Sequence, residues 1–421
     1  MTNPLHESDA AEKPLIILVS SGYHLYREYL LDLVSGAARV WLFLTQEPTW
    51  EKRYIVGHTV VDTLDVPAMI AAAREVTGRH PVSGVLCWDE VRMIQTAEVQ
   101  QALGLPGSPP EAVARCRDKH QTRLALADAG VPQAVSTLVP SLDRAREVAA
   151  EIGYPVILKP RALGASFGVN AVTGEEGLEA GYAEARGAEE DGVPYYDDGV
   201  LVEEYLTGEE ISVDAALVDG ELFPLFVARK ISGYDPYFEE IGHTVDATDP
   251  LLTDPVLLDV LTRAHRATGY HTGITHTELR LTDDGPKLIE INARLGGDLI
   301  PYVGFVATGV DPGRAAVEVA CGKRPATTPT RRGTAAVHFL YPESDCTVAD
   351  VTVDEAVLEA KVNAYGVLAS PGQELLLPPA GHVTSRFGYL VVEGESASAC
   401  EKVAAEASEA IRMRPQTAAT S

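Results

Sequence analysis

The segment from Thr272 to Asn292 limits the possible folds more than any other part of the chain. Two runs with strand-like alternation flank the turn-forming tripeptide Asp283-Asp284-Gly285, so the segment predicts an antiparallel β-hairpin. Every second side chain of a strand points to the same face of the sheet. On this hairpin, the polar residues that the pattern groups on one face are His276, Glu278, Arg280, Glu290 and Asn292.

The position of the turn also predicts the register of the two strands. A hairpin centred on Asp284 places Glu278 opposite Glu290 and His276 opposite Asn292. Like charges that face each other across two strands destabilise a sheet unless something neutralises them. Oxygen ligands on rigid strands suit Mg²⁺, which keeps coordination sites for water and phosphate oxygens. The two carboxylates therefore form a candidate magnesium site, with the histidine beside it.

The same alternation assigns Ile289 and Ile291 to the opposite face of the hairpin. An ordinary solvent-exposed hairpin is the alternative interpretation, because facing glutamates then cost only a few tenths to about 1 kcal/mol.

A second candidate site follows the apolar run Pro155 to Leu158. Lys159 ends this predicted strand, and a glycine-containing loop from Arg161 to Gly168 comes next. Backbone amides of such a loop can surround phosphate oxygens, and a lysine supplies a point charge. The alternative is a common hairpin loop with a lysine that reaches solvent from the end of a strand.

The N-terminal part of the chain predicts a parallel α/β sheet. Leu15 to Val19 and Val40 to Leu44 are short apolar runs typical of buried strands, and the stretch between them, through Val34, has helical character. This βαβ opening predicts a Rossmann-like domain. Its first turn lacks the GxGxxG pattern, which argues against a nicotinamide-dependent enzyme.

The rest of the chain predicts a long helix from Glu111 to Ala129, then a small α+β lobe with one acidic helix, and a second hairpin from Ile211 to Ala228. A polar linker from Thr327 to Arg332 precedes a last α/β segment, and a tail begins at Pro415. The predicted domains are an N-terminal Rossmann-like domain (1–110), a small lobe with a lid (111–206), a large lobe with the metal site (207–326) and a C-terminal α/β lobe (327–421).

Charge and cysteine content narrow the classes of function. The formal net charge is −27, and the acidic residues are scattered along the chain, which argues against nucleic acid or an anionic membrane as partner. The five cysteines have no CxxC spacing, which favours a reduced, cytoplasmic protein. We interpret Met1 to Lys13 as a loose leader, since no apolar run resembles a signal sequence or a membrane span.

Together, these segments resemble the ATP-grasp superfamily. The resemblance depends on their order, which is more specific than any one of them: Lys119, Ile157-Leu158-Lys159-Pro160, the glycine loop, Val202-Glu203-Glu204-Tyr205-Leu206, Glu210, Glu278 and Glu290-Ile291-Asn292-Ala293-Arg294. Within the superfamily, Thr275 to Glu278 and Glu290 to Gly297 look most like the carboxylate-amine ligases that make dipeptides, the L-amino acid ligases.

The resemblance implies an ATP-grasp fold of mixed α/β and α+β type, with ATP and Mg²⁺ bound and Mn²⁺ as a possible substitute. The residues it implies for ATP binding are Lys119, Lys159, Gly164, Ser166, Phe167, Gly168, Glu203, Glu204, Leu206 and Glu210. Of these, Glu204 and Leu206 would contact adenine and Glu210 the ribose. The metal ligands that it implies are Glu278, Glu290 and Asn292.

It also implies which residues contact the other substrates. Arg294 would stabilise the acyl phosphate as a planar, two-donor partner, with Gly296 and Gly297 beside it. A loop from Asp235 to His243 would line the amino-acid pocket, where Glu240 or His243 would bind or deprotonate the amine; with His276, these complete the candidate catalytic set. The alternatives are a surface salt bridge for the arginine and a structural role for the loop histidine.

The function that the resemblance implies is ADP-forming ligation of a small-molecule carboxylate to an amine through an acyl phosphate, by a homodimer. A carboxylase or a purine-pathway ligase of the same superfamily is an alternative, because the segment from Ala335 also resembles the last lobe of those enzymes. A non-catalytic ATP-binding module is another, although residues suited to each metal and phosphate position are all present.

Overall fold

The computed structural model describes residues 13–164, 166–189, 193, 196–235 and 237–416. Of the predicted leader only Lys13 is described, and the remainder lies outside the described residues, as does the predicted tail after Gln416. Pro415, where the tail was expected to begin, instead ends a β-strand. Two residues of the predicted loops, Ala165 and Pro236, also lie outside the described part.

The N-terminal region is a parallel α/β sheet, as the sequence predicts. Its elements are β1 (Leu15–Val19), α1 (His24–Ala37), β2 (Arg39–Leu44), β3 (Gly57–Val60), α2 (Val66–Thr77), β4 (Val82–Cys87) and α3 (Met93–Leu103). The strand order is β3-β2-β1-β4, and all the pairs are parallel. Every residue of β1 is buried because helices cover both faces of such a sheet.

The segment predicted as one helix from Glu111 to Ala129 forms two helices, α4 (Pro110–Arg117) and α5 (Lys119–Asp128). The prediction was wrong at Asp118. Its backbone is extended, and its side chain accepts hydrogen bonds from the amides of His120 and Gln121, so it caps the second helix. Lys119 therefore occupies the first turn of α5.

The small lobe is an antiparallel sheet with helices packed against it. Its elements are β5 (Ser136–Val139), α6 (Leu142–Ile152), β6 (Val156–Lys159), β7 (Asn170–Val172), α7 (Glu175–Gly187) and β8 (Val200–Glu204), in the strand order β5-β8-β6-β7. The sequence predicted a single acidic helix here, whereas the described residues contain two. The missed helix, α6, buries Ala145, Val148 and Ala149, which recur at helical spacing on one face, a signal that could have revealed it.

The large lobe contains β9 (Glu209–Val218), β10 (Glu221–Gly233), β11 (Glu239–Asp246), α8 (Pro255–Thr268), β12 (Gly273–Thr282), β13 (Gly285–Asn292), α9 (Ile300–Thr308) and α10 (Pro312–Ala320). The C-terminal segment adds β14 (Thr334–Leu340), β15 (Cys346–Val353), α11 (Glu355–Lys361), β16 (Ala364–Val367), β17 (Glu374–Leu375), β18 (Gly388–Gly394), α12 (Ala397–Ser408) and β19 (Ile411–Pro415).

An eight-stranded sheet joins these two parts. Its order is β13-β12-β9-β10-β11-β14-β18-β16, and each neighbouring pair is antiparallel. The C-terminal strands β14, β18 and β16 thus continue the sheet that carries the predicted metal site. Strands β17, β15 and β19 form a separate small sheet. The four domain boundaries stay a prediction.

The hairpin register is confirmed where it matters for the site. Glu278 pairs with Glu290, and His276 pairs with Asn292. The turn is one residue tighter than a hairpin centred on Asp284, but a β-bulge at Ile289 restores the predicted pairing. The bulge also moves Leu288 to the core face, where it is 0% exposed, while Ile289 lines the opposite face. The prediction that Ile289 shares the face of Ile291 was therefore wrong.

Within the described residues, no helix has both the length and the apolar character that crossing a lipid bilayer requires. The cytoplasmic location and the homodimer stay predictions.

The bulge predicts unequal losses of stability for two adjacent substitutions. Leu288→Ala removes a fully buried side chain and should lower the free energy of unfolding by about 3 kcal/mol. Ile289→Ala should lower it by less than about 1 kcal/mol, since this side chain faces the cleft and is only half-buried. Urea unfolding of both variants measures the difference, and a larger loss for Ile289→Ala would contradict the bulged register.

Candidate active site

A cleft separates the small lobe from the eight-stranded sheet. It encloses ≈ 920 Å³ of space free of protein atoms, part of it open to solvent. Its lining includes many residues that the sequence predicted: Lys119, Lys159, Gly164, Ser166, Glu203, Glu204, Leu206, Glu210, Glu240, Glu278, Glu290, Asn292 and Arg294. Residues that are separated by up to 175 positions in sequence thus surround one volume.

The predicted metal ligands meet at the end of the cleft formed by β12 and β13. Glu278 and Glu290 are cross-strand neighbours, and Lys119 Nζ lies 3.2 Å from Glu290 Oε1. Burial alone would raise the pKa of the Glu278 carboxyl, but Lys230 and His276 outweigh burial and hold that pKa well below its usual range. The two carboxylates and the Asn292 amide provide only oxygen donors, a set that fits Mg²⁺.

His276 is held beside this site by a residue that the sequence analysis missed. Its Nδ1 lies 2.5 Å from Oδ1 of Asp214, and Oδ2 of Asp214 accepts a hydrogen bond from the Gly296 amide at 3.0 Å. Burial would lower the pKa of His276, but Asp214 outweighs it and raises that pKa to about 9. A Cβ at Gly296 would lie 2.9 Å from His276 Nδ1, so the segment after β13 can approach His276 this closely only with glycine at this position. Asp214 shares the β9 face of Glu210, an alternation that could have revealed it.

Lys159 is held by a buried ion-pair network. Its Nζ lies 2.7 Å from Glu203 Oε2, and Arg123 donates to both oxygens of the same carboxylate at 2.8 and 2.9 Å. Burial lowers the pKa of Lys159 to about 8, although Glu203 partly opposes this shift. Since the Glu203 carboxylate is engaged by two cations and 3% exposed, its side chain fixes Lys159 in place. Direct contact of Glu203 with ATP stays a prediction.

The glycine loop begins against Lys119. Lys119 Nζ donates to the Leu163 carbonyl at 2.5 Å, and the backbone amide of Lys119 donates to the carbonyl of Arg161 at 2.9 Å. Gly168 has a φ of +70°, and a Cβ there would lie 2.7 Å from that of Ala188. The loop also carries Phe167, whose ring packs edge-on against His382 with the ring centroids 5.2 Å apart.

The predicted adenine and ribose residues lie along β8 and β9. Glu204 accepts a hydrogen bond from the Val135 amide at 3.1 Å and pairs with Lys287 Nζ, also at 3.1 Å. Leu206 follows β8 and is buried in the cleft wall. Glu210 is the partner of Arg280 Nη2 at 2.8 Å.

Lys230 lines the cleft and pairs with three carboxylates, and the sequence did not point to it. Its Nζ lies 2.8 Å from Glu240 Oε1 and 3.5 Å from Glu278 Oε2, and it also pairs with Glu210. Burial would lower its pKa, but these three carboxylates outweigh burial and raise that pKa well above its ordinary value. The predicted hairpin ended at Ala228, whereas β10 continues to Gly233, so the prediction left out the part of the strand that presents this lysine.

Glu240 and His243 lie on a strand, which corrects the predicted loop from Asp235 to His243. Strand β11 begins at Glu239, and a bulge at Ile241 places Glu240 and His243 on the same face, since Lys230 pairs with His243 and Ser232 with Glu240. A loop was expected because aromatic and charged residues follow one another from Tyr237 to Glu240, and because the bulge at Ile241 interrupts the alternation of buried and exposed side chains that marks a strand.

His243 is buried, and neither ring nitrogen makes a hydrogen bond within the described part of the chain. Its Nε2 is 3.3 Å from Glu240 Oε2 and 3.7 Å from Asp298 Oδ2, close enough for attraction without hydrogen-bond geometry. Burial would lower the pKa of His243, but these two carboxylates outweigh burial and raise it. A buried imidazole without a partner is available to a ligand.

Arg294 pairs with Glu90, which lies just after β4 in the N-terminal domain. Glu90 also accepts from Arg117 Nη1 at 2.7 Å, and Arg294 Nη1 donates to the Leu295 carbonyl at 2.9 Å. Arg294 lines the cleft, and the pair is largely buried, unlike the surface salt bridge considered above. Polar residues that follow a parallel strand often reach a ligand, a signal that could have pointed to Glu90. At Gly297, the position of a Cβ is open space.

Comparison with known proteins places these features in a family. The family model of the ATP-grasp domain matches residues 152–302. A D-alanine–D-alanine ligase of Desulforudis audaxviator is 33% identical over 227 residues, which are 51% of this chain and 69% of that protein. An alanine–anticapsin ligase of Bacillus subtilis is 29% identical over 297 residues, which are 66% of this chain and 60% of that protein.

The fold comparison covers nearly the whole chain. The crystal structure of an L-amino acid ligase from Bacillus licheniformis superposes with a TM-score of 0.77 at 22% identity, over 96% of this chain and 99% of that one. This likeness confirms the predicted ATP-grasp architecture, including the N-terminal and C-terminal parts outside the matched domain. With the domain match and the sequence relatives, it shows that the chain belongs to the ATP-grasp family.

Proposed function

We propose that this protein is an ADP-forming carboxylate-amine ligase that joins two amino acids or amino-acid-like substrates through an acyl phosphate. The observation that carries the proposal is the convergence on one cleft of two facing carboxylates, buried lysines and Arg294. Glu90 pairs with Arg294, and His243, which makes no hydrogen bond among the described residues, lies beside the lining residue Glu240. Two relatives whose names describe ligation of amino acids, the D-alanine–D-alanine ligase and the alanine–anticapsin ligase, support the substrate class.

The nucleotide would lie between the small lobe and the sheet. Lys119 and Lys159 would contact its phosphates, with the residues of the glycine loop over them and the segment from Glu204 to Leu206 at the adenine. Glu278, Glu290 and Asn292 would hold Mg²⁺, or Mn²⁺ in its place, which would neutralise the triphosphate and polarise the γ-phosphoryl group. Lys119, which now pairs with Glu290, is already placed between this site and the loop.

The carboxylate substrate would be activated beside Arg294. One of its oxygens attacks the γ-phosphorus, the bond to the bridging oxygen breaks, and ADP leaves. An α-amino acid offers a carboxylate to Arg294 and an ammonium group to Glu90. It can therefore replace the internal ion pair without leaving either buried charge unpaired, which would be costly. Lys230 would neutralise charge on the transferring group.

The amine would then attack the acyl carbon. The new C–N bond forms, the C–O bond to the phosphate breaks, and inorganic phosphate leaves with its electron pair. Glu240 would bind the incoming amine. His243 in its neutral form would accept the proton of the amine, because its ring nitrogens make no hydrogen bond among the described residues whereas Glu240 already pairs with Lys230. His276, held by Asp214, would orient Glu278.

The first experiment tests the route through an acyl phosphate. Candidate pairs of amino acids are screened for ADP release, and ¹⁸O is then placed in the carboxylate of the productive acid. We expect one labelled oxygen in the released phosphate, because the attacking oxygen stays on phosphorus when the C–O bond breaks. Label in AMP, or a requirement of ADP release for bicarbonate, would contradict the proposal and favour adenylation or a carboxylase, respectively.

A second prediction concerns the metal site. Glu290→Gln should lower turnover at least about hundredfold, because a neutral amide replaces a metal ligand, yet it should leave the protein folded. ADP release at saturating Mg²⁺ measures turnover, and circular dichroism checks the fold. Glu221→Gln is a matched control, since Glu221 pairs with Arg324 at the surface. Wild-type turnover in Glu290→Gln would exclude this residue as a metal ligand.

A third prediction concerns Arg294. Arg294→Lys should lower kcat/KM about hundredfold, nearly as much as Arg294→Ala, because a point charge cannot replace two parallel donors. Binding of ADP should be unchanged in both variants, since Arg294 lies away from the adenine and ribose residues. Equilibrium binding and steady-state kinetics distinguish the two effects. Full activity in Arg294→Lys would show that the planar fork is not needed.

A further inference from the structure

Arg386 is a buried cation of the C-terminal segment that the proposed chemistry has not used. It lies just before β18, outside the region matched by the ATP-grasp domain model, and it is 2% exposed. Its guanidinium carbon lies 3.6 Å from the ring centroid of Phe339 on β14. A fully buried arginine is costly unless all its donors are satisfied, so its contacts are informative.

All three nitrogens of the Arg386 guanidinium donate hydrogen bonds. Nη1 and Nη2 bind the two carboxylate oxygens of Asp298 at 2.8 Å each, in a bidentate pair. Nη2 also donates to the backbone carbonyl of Glu240 at 2.8 Å, and Nε donates to the hydroxyl of Tyr341 at 2.9 Å. That hydroxyl is in turn 3.2 Å from the same Glu240 carbonyl.

These contacts fix the surroundings of His243. Among the described residues, Asp298 and Glu240 are the two whose carboxylates lie within 4 Å of His243 Nε2. Asp298 and Leu299 both have φ in the left-handed region, at +49° and +62°, a conformation that needs support from its neighbours. Arg386 supports this conformation by binding the Asp298 side chain. It also holds the β11 backbone at Glu240, next to the bulge at Ile241.

The nucleotide side of the cleft has different supports. Lys159 depends on Glu203 and Arg123, and Lys119 contacts Leu163 and Glu290. None of these contacts involves the C-terminal segment. That segment meets the glycine loop where His382 packs against Phe167, and Arg386 is not part of that ring contact. A change at Arg386 should therefore affect the amine side of the cleft more than the phosphate side.

We propose that Arg386 is a positioning residue for amide formation, which shapes the amine site by holding Asp298 and the Glu240 backbone around His243. The inference rests on the proposed function and divides it between two parts of the chain. The ATP-grasp core carries out phosphorylation of the carboxylate, and the C-terminal segment is needed for capture of the acyl phosphate by the amine. Without that capture, water attacks the acyl carbon, the C–O bond to phosphate breaks, and the free carboxylate and phosphate are released.

The test measures the two half-reactions separately. Phosphorylation is measured with the carboxylate substrate alone, as the movement of ¹⁸O from the β,γ-bridging position of ATP to a non-bridging position. Amide formation is measured with both substrates, as the amount of amide formed per ADP released. In Arg386→Lys we expect isotope movement within about twofold of wild type, amide formation lowered about thirtyfold and a raised KM for the amine. A lysine keeps the charge but cannot bind both oxygens of Asp298 while also reaching Tyr341.

Two further variants complete the experiment. Tyr341→Phe removes one hydroxyl and should lower the amide yield per ADP in the same direction by about fivefold, which keeps the test open if Arg386→Lys folds poorly. Arg414→Lys is the matched control. Arg414 also forms a two-donor pair with an aspartate, Asp350, but at the exposed surface of the C-terminal segment, and its replacement should change neither half-reaction.

Equal losses of isotope movement and amide formation, or wild-type coupling in both Arg386→Lys and Tyr341→Phe, would overturn this inference and leave the proposed function standing. A wild-type protein that shows neither isotope movement nor amide formation with any amino-acid pair would overturn both.

Discussion

The organisation of the cleft depends on two carboxylates, Glu278 and Glu290, that face each other across neighbouring strands. Such a pair is unfavourable by itself, and the sheet tolerates it because cations approach from three sides. Lys119 comes from α5, Lys230 from β10 and His276 from β12 itself. The position of the small lobe, the path of β10 and the close approach of Gly296 to His276 are therefore all linked to the neutralisation of this pair.

A recurring arrangement supports the cations that would contact substrates. Lys159 is held by Glu203, which is shared with Arg123, and Arg294 is held by Glu90, which is shared with Arg117. In each case one carboxylate binds two cations, one of which is a proposed substrate contact. The carboxylate stays ionised even if a substrate displaces that cation, because the second cation remains. This allows a charged side chain to exchange partners inside a cleft at a moderate cost in free energy.

Two single-residue bulges decide which side chains enter the cleft. The bulge at Ile289 in β13 restores the pairing of Glu278 with Glu290 after a tight turn, and the bulge at Ile241 in β11 places Glu240 and His243 on one face. Because the side-chain period of a strand is two, one extra residue reverses every face assignment beyond it. Arg386 then holds the backbone at the second bulge from the C-terminal segment. Bulges are tertiary features in this protein, since their positions are set by what packs on either side.

The sequence by itself determined the parallel N-terminal sheet, both hairpins and the pairing of Glu278 with Glu290, because these depend on local alternation and on the position of the turn. It did not reveal Lys230, Asp214, Glu90 or Arg386, and it placed Glu240 and His243 on a loop. Each of the four missed residues contacts partners distant in the chain, such as Glu90 with Arg294 or Arg386 with Asp298. Alternation along one strand cannot indicate which remote charge will neutralise a buried group. That choice was made by the tertiary structure, because a buried charge is stable only where an opposite charge and hydrogen-bond partners converge on it.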